Sequence, residues 1–203
     1  MTIESTYRER HEKALLPLAK LLQTDLEEWL ADEVRIDRIS TRAKSVDRFL
    51  AKASKEEHGR PKYAEPLHEI QDQIGARVIV FYQDDVDRIE ARLRQFLKPI
   101  EFKMMSPESE WTFGYFGRHF VFLLPNHLSK HPDLGEATAP HFFELQIKTL
   151  FQHAWSEANH DLGYKPGEEP LDPEDERALA YASAQAWGAD KLFIDLFRKR
   201  HAG

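Results

Sequence analysis

The sequence predicts an α/β (α+β) domain built on one mixed β-sheet flanked by helices. Two observations carry that expectation. β-rich runs ("EVRIDRIST", "ARVIVFY", "RHFVFLL", "HFFELQI") interleave with segments of helical period. The chain has 203 residues, the size of one large domain, and such a chain buries about 70% of its unfolded surface without staples. There is no internal repeat and no low-complexity segment, so residues 1–203 read as one domain with helical extensions at 1–30 and 172–200.

The first thirty residues read as one or two amphipathic helices, since Leu15, Leu18, Leu22 and Leu26 recur at helical spacing. "EVRIDRIST" follows as a strand. Ser45 can cap a helix through "VDRFLAKASKEE". Pro66 can open a short helix, "PLHEIQD", that Gly75 stops before the strand "ARVIVFY". "DDVDRIEARLRQFL" is a helix that starts on acids, as its dipole prefers. "EFKMM" is a weaker strand. "RHFVFLL" and "HFFELQI" are strands separated by a loop holding Pro125, Pro132, Gly135 and Pro140. Thr149 starts a helix to about Gly163. Asp172, ahead of Pro173, starts the last, whose apolar stripe (Leu179, Ala182, Ala186, Leu192, Leu196) is either core or a contact in a homo-oligomer.

Composition narrows the function. There is no cysteine, which removes disulfides, thiolate metal sites and cysteine nucleophiles. No apolar run approaches the ~18 residues of a membrane span, and the charged start is not a signal peptide. A cytoplasmic protein with no membrane partner is expected. The net charge of −7 argues against a general nucleic-acid coat, yet residues 35–62 hold nine basic and four acidic side chains, a local +5. A compact anionic ligand such as a nucleotide suits that patch.

Four clusters have chemical potential. In "FELQIKTLFQHAWSEANHDLGYKP", Glu144, Gln146 and Lys148 share one strand face, and His153, Glu157, His160, Asp161 and Tyr164 form a helical stripe. A solvated polar face or one side of a cleft both fit; a zinc set of His153, Glu157 and His160 matches no established spacing. In "TRAKSVDRFLAKASK", Lys44, Arg48, Lys52 and Lys55 fall on one helix face, with Arg42 before it, suited to phosphate or merely exposed. In "DQIGARVIVF", Asp72 beside Arg77 could hold magnesium next to a phosphate, or be an ordinary helix-to-strand joint. In "FGYFGRHF", two glycines flank Tyr115, which either stacks on a base or packs in a hairpin turn.

The order of these clusters is more specific than any one. A basic strand-to-helix element, then Asp-x-x-Gly-x-Arg, then Gly-Tyr-x-x-x-His, then Glu-x-Gln-x-Lys-Thr and His-Ala-Trp-x-Glu-x-x-His with Tyr-Lys resembles the RelA/SpoT synthetase family. The resemblance implies a nucleotidyltransferase-like fold and transfer of pyrophosphate from ATP to the ribose 3′-oxygen of GDP or GTP. It implies Arg42, Lys44, Lys52 and Arg77 on the ATP phosphates, and Asp72 and Glu144 on Mg2+, with Glu144 taking the proton of the attacking hydroxyl. It further implies Tyr115 stacked on the acceptor base, with His119, Gln146 and His153 around the acceptor. Phosphoryl-type transfer works by positioning, metal bridging and cationic stabilisation, and these residue types supply them.

The sequence departs from the family pattern at three places. Phe116 and Gly117 replace a polar pair, Arg48 stands where serine is common, and the basic residue expected upstream for the acceptor phosphates is missing from "SPESEWTFGY". The donor half therefore matches more closely than the acceptor half. The resemblance is to the small synthetases, with no hydrolase domain. Some of these are toxins neutralised by an antitoxin protein, and a few pyrophosphorylate the tRNA 3′ end. Transfer onto tRNA or an adenine nucleotide, and a silent nucleotide-binding module, are the alternatives.

Overall fold

The computed structural model describes residues 2–105, 109, 112–114, 117–135, 137–163 and 171–201. Helices α1 (Ile3–Arg10) and α2 (Leu16–Trp29) are joined through a π-helical turn, His11–Leu15. Strand β1 (Ile36–Ala43) leads into α3 (Val46–Ala53), a small hairpin of β2 (Glu56–Glu57) and β3 (Arg60–Pro61), then α4 (Pro66–Glu69). A 3-10 turn, Gln71–Gln73, precedes β4 (Ile74–Val80), α5 (Gln83–Leu93), β5 (Pro99–Met105) and β6 (Gly117–Leu123). A short α6 (Asn126–Ser129) and a 3-10 turn at Pro132–Leu134 occupy the connection to β7 (Phe142–Thr149); α7 (Leu150–Gly163) and α8 (Pro173–His201) complete the chain.

The five long strands form one mixed sheet in the order β1-β4-β7-β6-β5. β4 and β7 run parallel and every other pair antiparallel. Strand alternation then sorts the residues. Phe143, Leu145 and Ile147 are buried with Ala76, Val78, Val80, Phe120 and Phe122. Thr41, on that face, donates to the Ala19 carbonyl of α2 at 2.6 Å, and Arg118 pairs with Glu90 of α5 at 2.6 Å. So α2 and α5 cover the apolar face. The opposite face carries two rows of partnered residues: Ser40, Arg77, Gln146, His119, Lys103, and Arg42, Gly75, Glu144, Val121, Glu101. No helix among the described residues is long and apolar enough to cross a membrane.

The predicted fold class stands, with local corrections. Ser45 caps α3 by accepting the Arg48 amide, but the helix ends at Ala53 rather than running on to residue 57. His58 (φ 53°) and Gly59 (φ 73°) turn the small hairpin that follows. Lys44 and Lys55 therefore lie outside the helix. Gly75 does not stop the preceding helix: the 3-10 turn does, and Gly75 is inside β4. Asp72, expected at the helix-to-strand joint, is accordingly in that 3-10 turn. The proline-bearing connection is not bare loop.

The predicted stripe on α8 is neither wholly core nor wholly free. Leu192 and Leu196 are exposed, whereas Ser183, Asp190 and Ile194 are the buried positions. Polar anchors select this face. Thr149 Oγ1 donates to Asp190 at 2.7 Å, Ser183 Oγ to the Gly114 carbonyl at 2.6 Å, and Trp155 Nε1 to the Leu179 carbonyl at 3.1 Å.

Asp190 yields a stability prediction. Burial, only partly offset by the Thr149 bond, pushes its carboxyl up to about 6. The folded chain therefore holds this proton more tightly than the unfolded one, and stability falls as pH rises from about 4 to about 6. Asp190→Asn keeps an acceptor for Thr149 without the charge. Its Tm at pH 7–8 is expected about 2–4 °C above wild type, the shift of ~1 kcal/mol in a chain of this size. Thermal unfolding across pH should show that gain vanish near pH 4.

Candidate active site

The polar face of the sheet is the floor of a cleft of about 230 Å³ lined by Ser40, Arg42, Gly75, Arg77, Glu144 and Gln146. Its position follows from register. The parallel β4–β7 pair sets Gly75 beside Glu144 and Arg77 beside Gln146, and the β7–β6 pair sets Gln146 beside His119. Arg42, at the end of β1, lies across from Gly75.

At one end, Asp72 gathers two lysines. Lys44 Nζ is 2.8 Å from Oδ2 and Lys52 Nζ is 3.0 Å from Oδ1. Oδ1 is buried and has no aligned hydrogen bond, only that ion-pair neighbour. Burial pushes the Asp72 carboxyl up, but Lys44 and then Lys52 outweigh it and hold the group below its usual range. The predicted basic face thus becomes a clamp in which residues before and within α3 converge on one carboxylate.

In the middle, Glu144 Oε1 meets His119 Nδ1 at 3.1 Å. A carboxylate can only accept, so Nδ1 carries the proton. Gln146 Nε2 donates to the other oxygen of Glu144 at 3.3 Å. Burial raises the Glu144 pKa, the Asp72 charge adds to that, and the His119 bond more than offsets both, so Glu144 is ionised at neutral pH. Gln146 Oε1 is buried with no hydrogen-bond partner.

On the other side, Arg77 Nη1 donates to Glu157 at 2.7 Å and lies 3.3 Å from His153 Nδ1. Burial and Arg77 hold the His153 pKa down, which fits a neutral ring accepting from the guanidinium. His153 is therefore beside Arg77, on the donor side of the predicted division. His153 and Glu157 are both engaged by Arg77 and His160 is exposed, so the three do not converge as a zinc set. Burial, then the like charges of Arg48 and Arg77, lower the Arg42 pKa, with Glu157 and Glu144 opposing them.

All the predicted site residues that the structure describes (Arg42, Lys44, Lys52, Asp72, Arg77, His119, Glu144, Gln146 and His153) border this face. Tyr115, Tyr164 and Lys165 lie outside the described residues. Two residues were not predicted as site residues. Lys103 on β5 stands opposite His119 on the cleft face, a placement visible only once the register is known. Lys148 is only 2% exposed and donates to Ser156 Oγ at 3.0 Å; its place in Glu-x-Gln-x-Lys was visible, its burial was not.

The donor set suits a hard divalent cation. Magnesium is commonly held by one or two carboxylates, with waters and substrate phosphates completing the shell. Asp72 and Glu144 offer two carboxylates that feel each other's charge. Among the described residues no group of three protein ligands forms, so the remaining ligands would come from solvent and substrate.

The comparisons with known proteins agree with this geometry. The family model "Region found in RelA / SpoT proteins" matches residues 41–169. No curated protein matches the chain significantly by sequence. Among solved structures, small alarmone synthetase 1 from Bacillus subtilis superposes with a TM-score of 0.77 at 23% identity, over 96% of this chain and 100% of that one. A GTP pyrophosphokinase family protein from Streptococcus pneumoniae gives 0.71 at 22%, over 97% and 94%. The B. subtilis enzyme bound to its product pppGpp gives 0.69 at 24%, over 95% of each chain. The fold is the one shared by these alarmone synthetase and pyrophosphokinase-family structures. The chain belongs to the RelA/SpoT family.

Lys148 allows a test of the electrostatics without any nucleotide. Burial first, then Arg77, pushes its amine down to about 7. Between about 7 and its ordinary value near 10.5 the unfolded chain binds a proton that the folded one does not, so stability rises with pH there. Lys148→Met is expected to remove that rise, read as the pH slope of urea-unfolding free energy from pH 7 to 10. An unchanged slope would mean that Lys148 stays charged.

Proposed function

We propose that this protein moves the β,γ-pyrophosphate of ATP to the ribose 3′-oxygen of GDP or GTP, with magnesium. The observation that carries the reading is the single cleft face on which a cationic donor end (Arg42, Lys44, Lys52, Arg77), two carboxylates (Asp72, Glu144) and a polar acceptor end (His119, Gln146, Lys103) adjoin. In the transfer, the 3′-oxygen attacks the β-phosphorus, the bond from that phosphorus to the α–β bridging oxygen breaks, and AMP leaves. The hydroxyl proton goes to Glu144, which is ionised and held in orientation by His119 and Gln146. Arg42 and Arg77 neutralise charge on the phosphates, Arg by a bidentate fork and Lys44 and Lys52 as point charges. Asp72 and Glu144 would hold magnesium, whose chemistry there would be Lewis-acid neutralisation of phosphate charge.

At the acceptor end, Gln146 Oε1 is an unfilled acceptor for a ligand N–H or hydroxyl. Tyr115, between Gly114 and Gly117, would supply the stacking ring. Lys103 answers the missing cation upstream of the loop: it comes from β5, at the register position of His119. A nucleotide with its own phosphates therefore suits the cleft better than a tRNA 3′ end.

The direct test is label transfer. ATP labelled in its β-phosphate, incubated with magnesium and GDP, GTP, ATP or bulk tRNA in turn, is expected to pass label to the guanine nucleotides. Label appearing only on tRNA or on nothing would overturn the reading. Glu144→Gln keeps the side-chain shape and loses the proton acceptor, so kcat should fall about 100- to 10,000-fold, with ATP binding by calorimetry little changed. Lys103→Ala is expected to raise the apparent KM for GDP about 10- to 150-fold, the effect of one hydrogen bond to a charged group. The KM for ATP should stay within twofold; a loss confined to ATP would assign Lys103 to the wrong half.

A further inference from the structure

Helix α1 reaches the donor half of the cleft through two polar side chains. The Tyr7 hydroxyl donates to the Lys44 carbonyl at 2.8 Å. Its ring stacks on Phe49 of α3, centroids 3.6 Å apart and planes 5° from parallel. Three residues on, Arg10 Nη1 donates to the Leu67 carbonyl at 2.6 Å and reaches Gln73 Oε1 at 3.2 Å. Gln73, 1% exposed, passes the connection along: Nε2 donates to the carbonyls of Leu67 (2.9 Å) and Ile70 (3.0 Å). Its own carbonyl accepts the Lys44 amide at 2.8 Å.

The result is that Lys44 has both its backbone groups held, the N–H by Gln73 and the C=O by Tyr7. Asp72, one residue before Gln73, meets Lys44 Nζ at 2.8 Å. The strand end that carries the lysine and the turn that carries the carboxylate are thus tied through α1. Burial first and the Asp72 charge second push the phenol further up, so it remains a donor.

The approach of α1 is itself built. Leu16 N–H bonds back to the His11 carbonyl, five residues away, in the π-helical turn between α1 and α2. One residue inserted into a helix rotates what precedes it by about 100°. Leu18, Leu22 and Leu26 of α2 are buried in the core, while Tyr7 and Arg10 turn toward α3 and residues 67–73. Single π turns of this kind recur at functional sites.

We infer that Tyr7 and Arg10 are positioning residues of the donor site: by clasping the Lys44 peptide and the turn before β4, they fix the Lys44–Asp72 pair for the metal-bound triphosphate. This rests on ATP being the donor. If α1 served only to complete the core, the Tyr7–Phe49 stack would be enough and the hydroxyl would be dispensable.

The test uses the full chain, wild type, Tyr7→Phe and Arg10→Met. Tyr7→Phe keeps the stack and deletes one hydrogen bond. Calorimetry with AMPCPP, a non-hydrolysable ATP analogue, in magnesium, and separately with GDP, reads the two halves. The expected result is AMPCPP binding about 3- to 10-fold weaker, the effect of one hydrogen bond. GDP binding should stay within twofold and Tm within about 4 °C, the shift of ~1 kcal/mol at this chain length. Arg10→Met should show the same selectivity with a larger loss. Unchanged AMPCPP affinity in Tyr7→Phe, or equal loss for both nucleotides, would overturn the inference. If wild type fails to bind AMPCPP, the ATP reading itself fails. Amide exchange at Lys44 then decides the clasp: faster exchange in Tyr7→Phe supports it, and an unchanged rate overturns it.

Discussion

The parallel pairing of β4 with β7 is the constraint on which the rest depends. It sets Gly75 beside Glu144 and Arg77 beside Gln146. Because side chains alternate strictly along a strand, a slip of one residue would carry Glu144, Gln146 and Lys148 to the core and Phe143, Leu145 and Ile147 to the cleft. Burial of those three apolar side chains at 0–1% exposure makes such a slip prohibitive; each is worth roughly 1.5–3 kcal/mol when removed from water. The apolar face thereby fixes the chemistry on the polar one. The crossover from β4 to β7 also brings residues about 70 apart in sequence onto one row, and the antiparallel neighbours add Arg42 from one side and His119 and Lys103 from the other.

The cleft balances its charges in pairs that a ligand can exchange. Lys44 and Lys52 rest on Asp72, and Arg77 on Glu157. These pairs are partly exposed, so each is modest in energy, and phosphate oxygens or a cation can take over one partner. Arg42 and Lys148 behave differently. Both have pKa values held down by burial and like charge. An anion brought against Arg42 would relieve that repulsion.

Much of the fold and of the site was legible in the sequence because both rest on local periodicity. Alternation in "HFFELQI" identified β7 and its two faces, Ser45 marked a real helix start, and first-turn acids marked α5. What failed was local in another sense. Helix α3 stops at Ala53 because His58 and Gly59 take positive φ in the hairpin that follows, and nothing in helical spacing signals that. Gly75 looked like a turn residue and is a strand residue, because the 3-10 turn at Gln71–Gln73 makes the bend. Lys103 and the partnership of His153 with Arg77 needed the register between strands and the direction of α7, and no single segment encodes either. The family resemblance supplied roles for residues, and the structure adds that His153 lies against Arg77.

The family match covers residues 41–169, yet both ends of the cleft are braced from outside that range. On one side, α1 holds the backbone of Lys44 through Tyr7 and the turn before β4 through Arg10. On the other side, α8 holds the segment ahead of the glycine-flanked tyrosine: Ser183 Oγ bonds the Gly114 carbonyl, and Trp187 packs edge-on against Phe113 with centroids 6.0 Å apart. Asp190 of the same helix ties to Thr149, where β7 becomes α7. A sheet fixes side chains along its strands, but Asp72 and the residues at Gly114 are on connections, which need restraint of their own. A site built on such connections is only as precise as the elements that hold them. The two flanking helices supply that restraint. Sequence change in α1 or α8 can therefore reach these connections without altering any residue that lines the cleft.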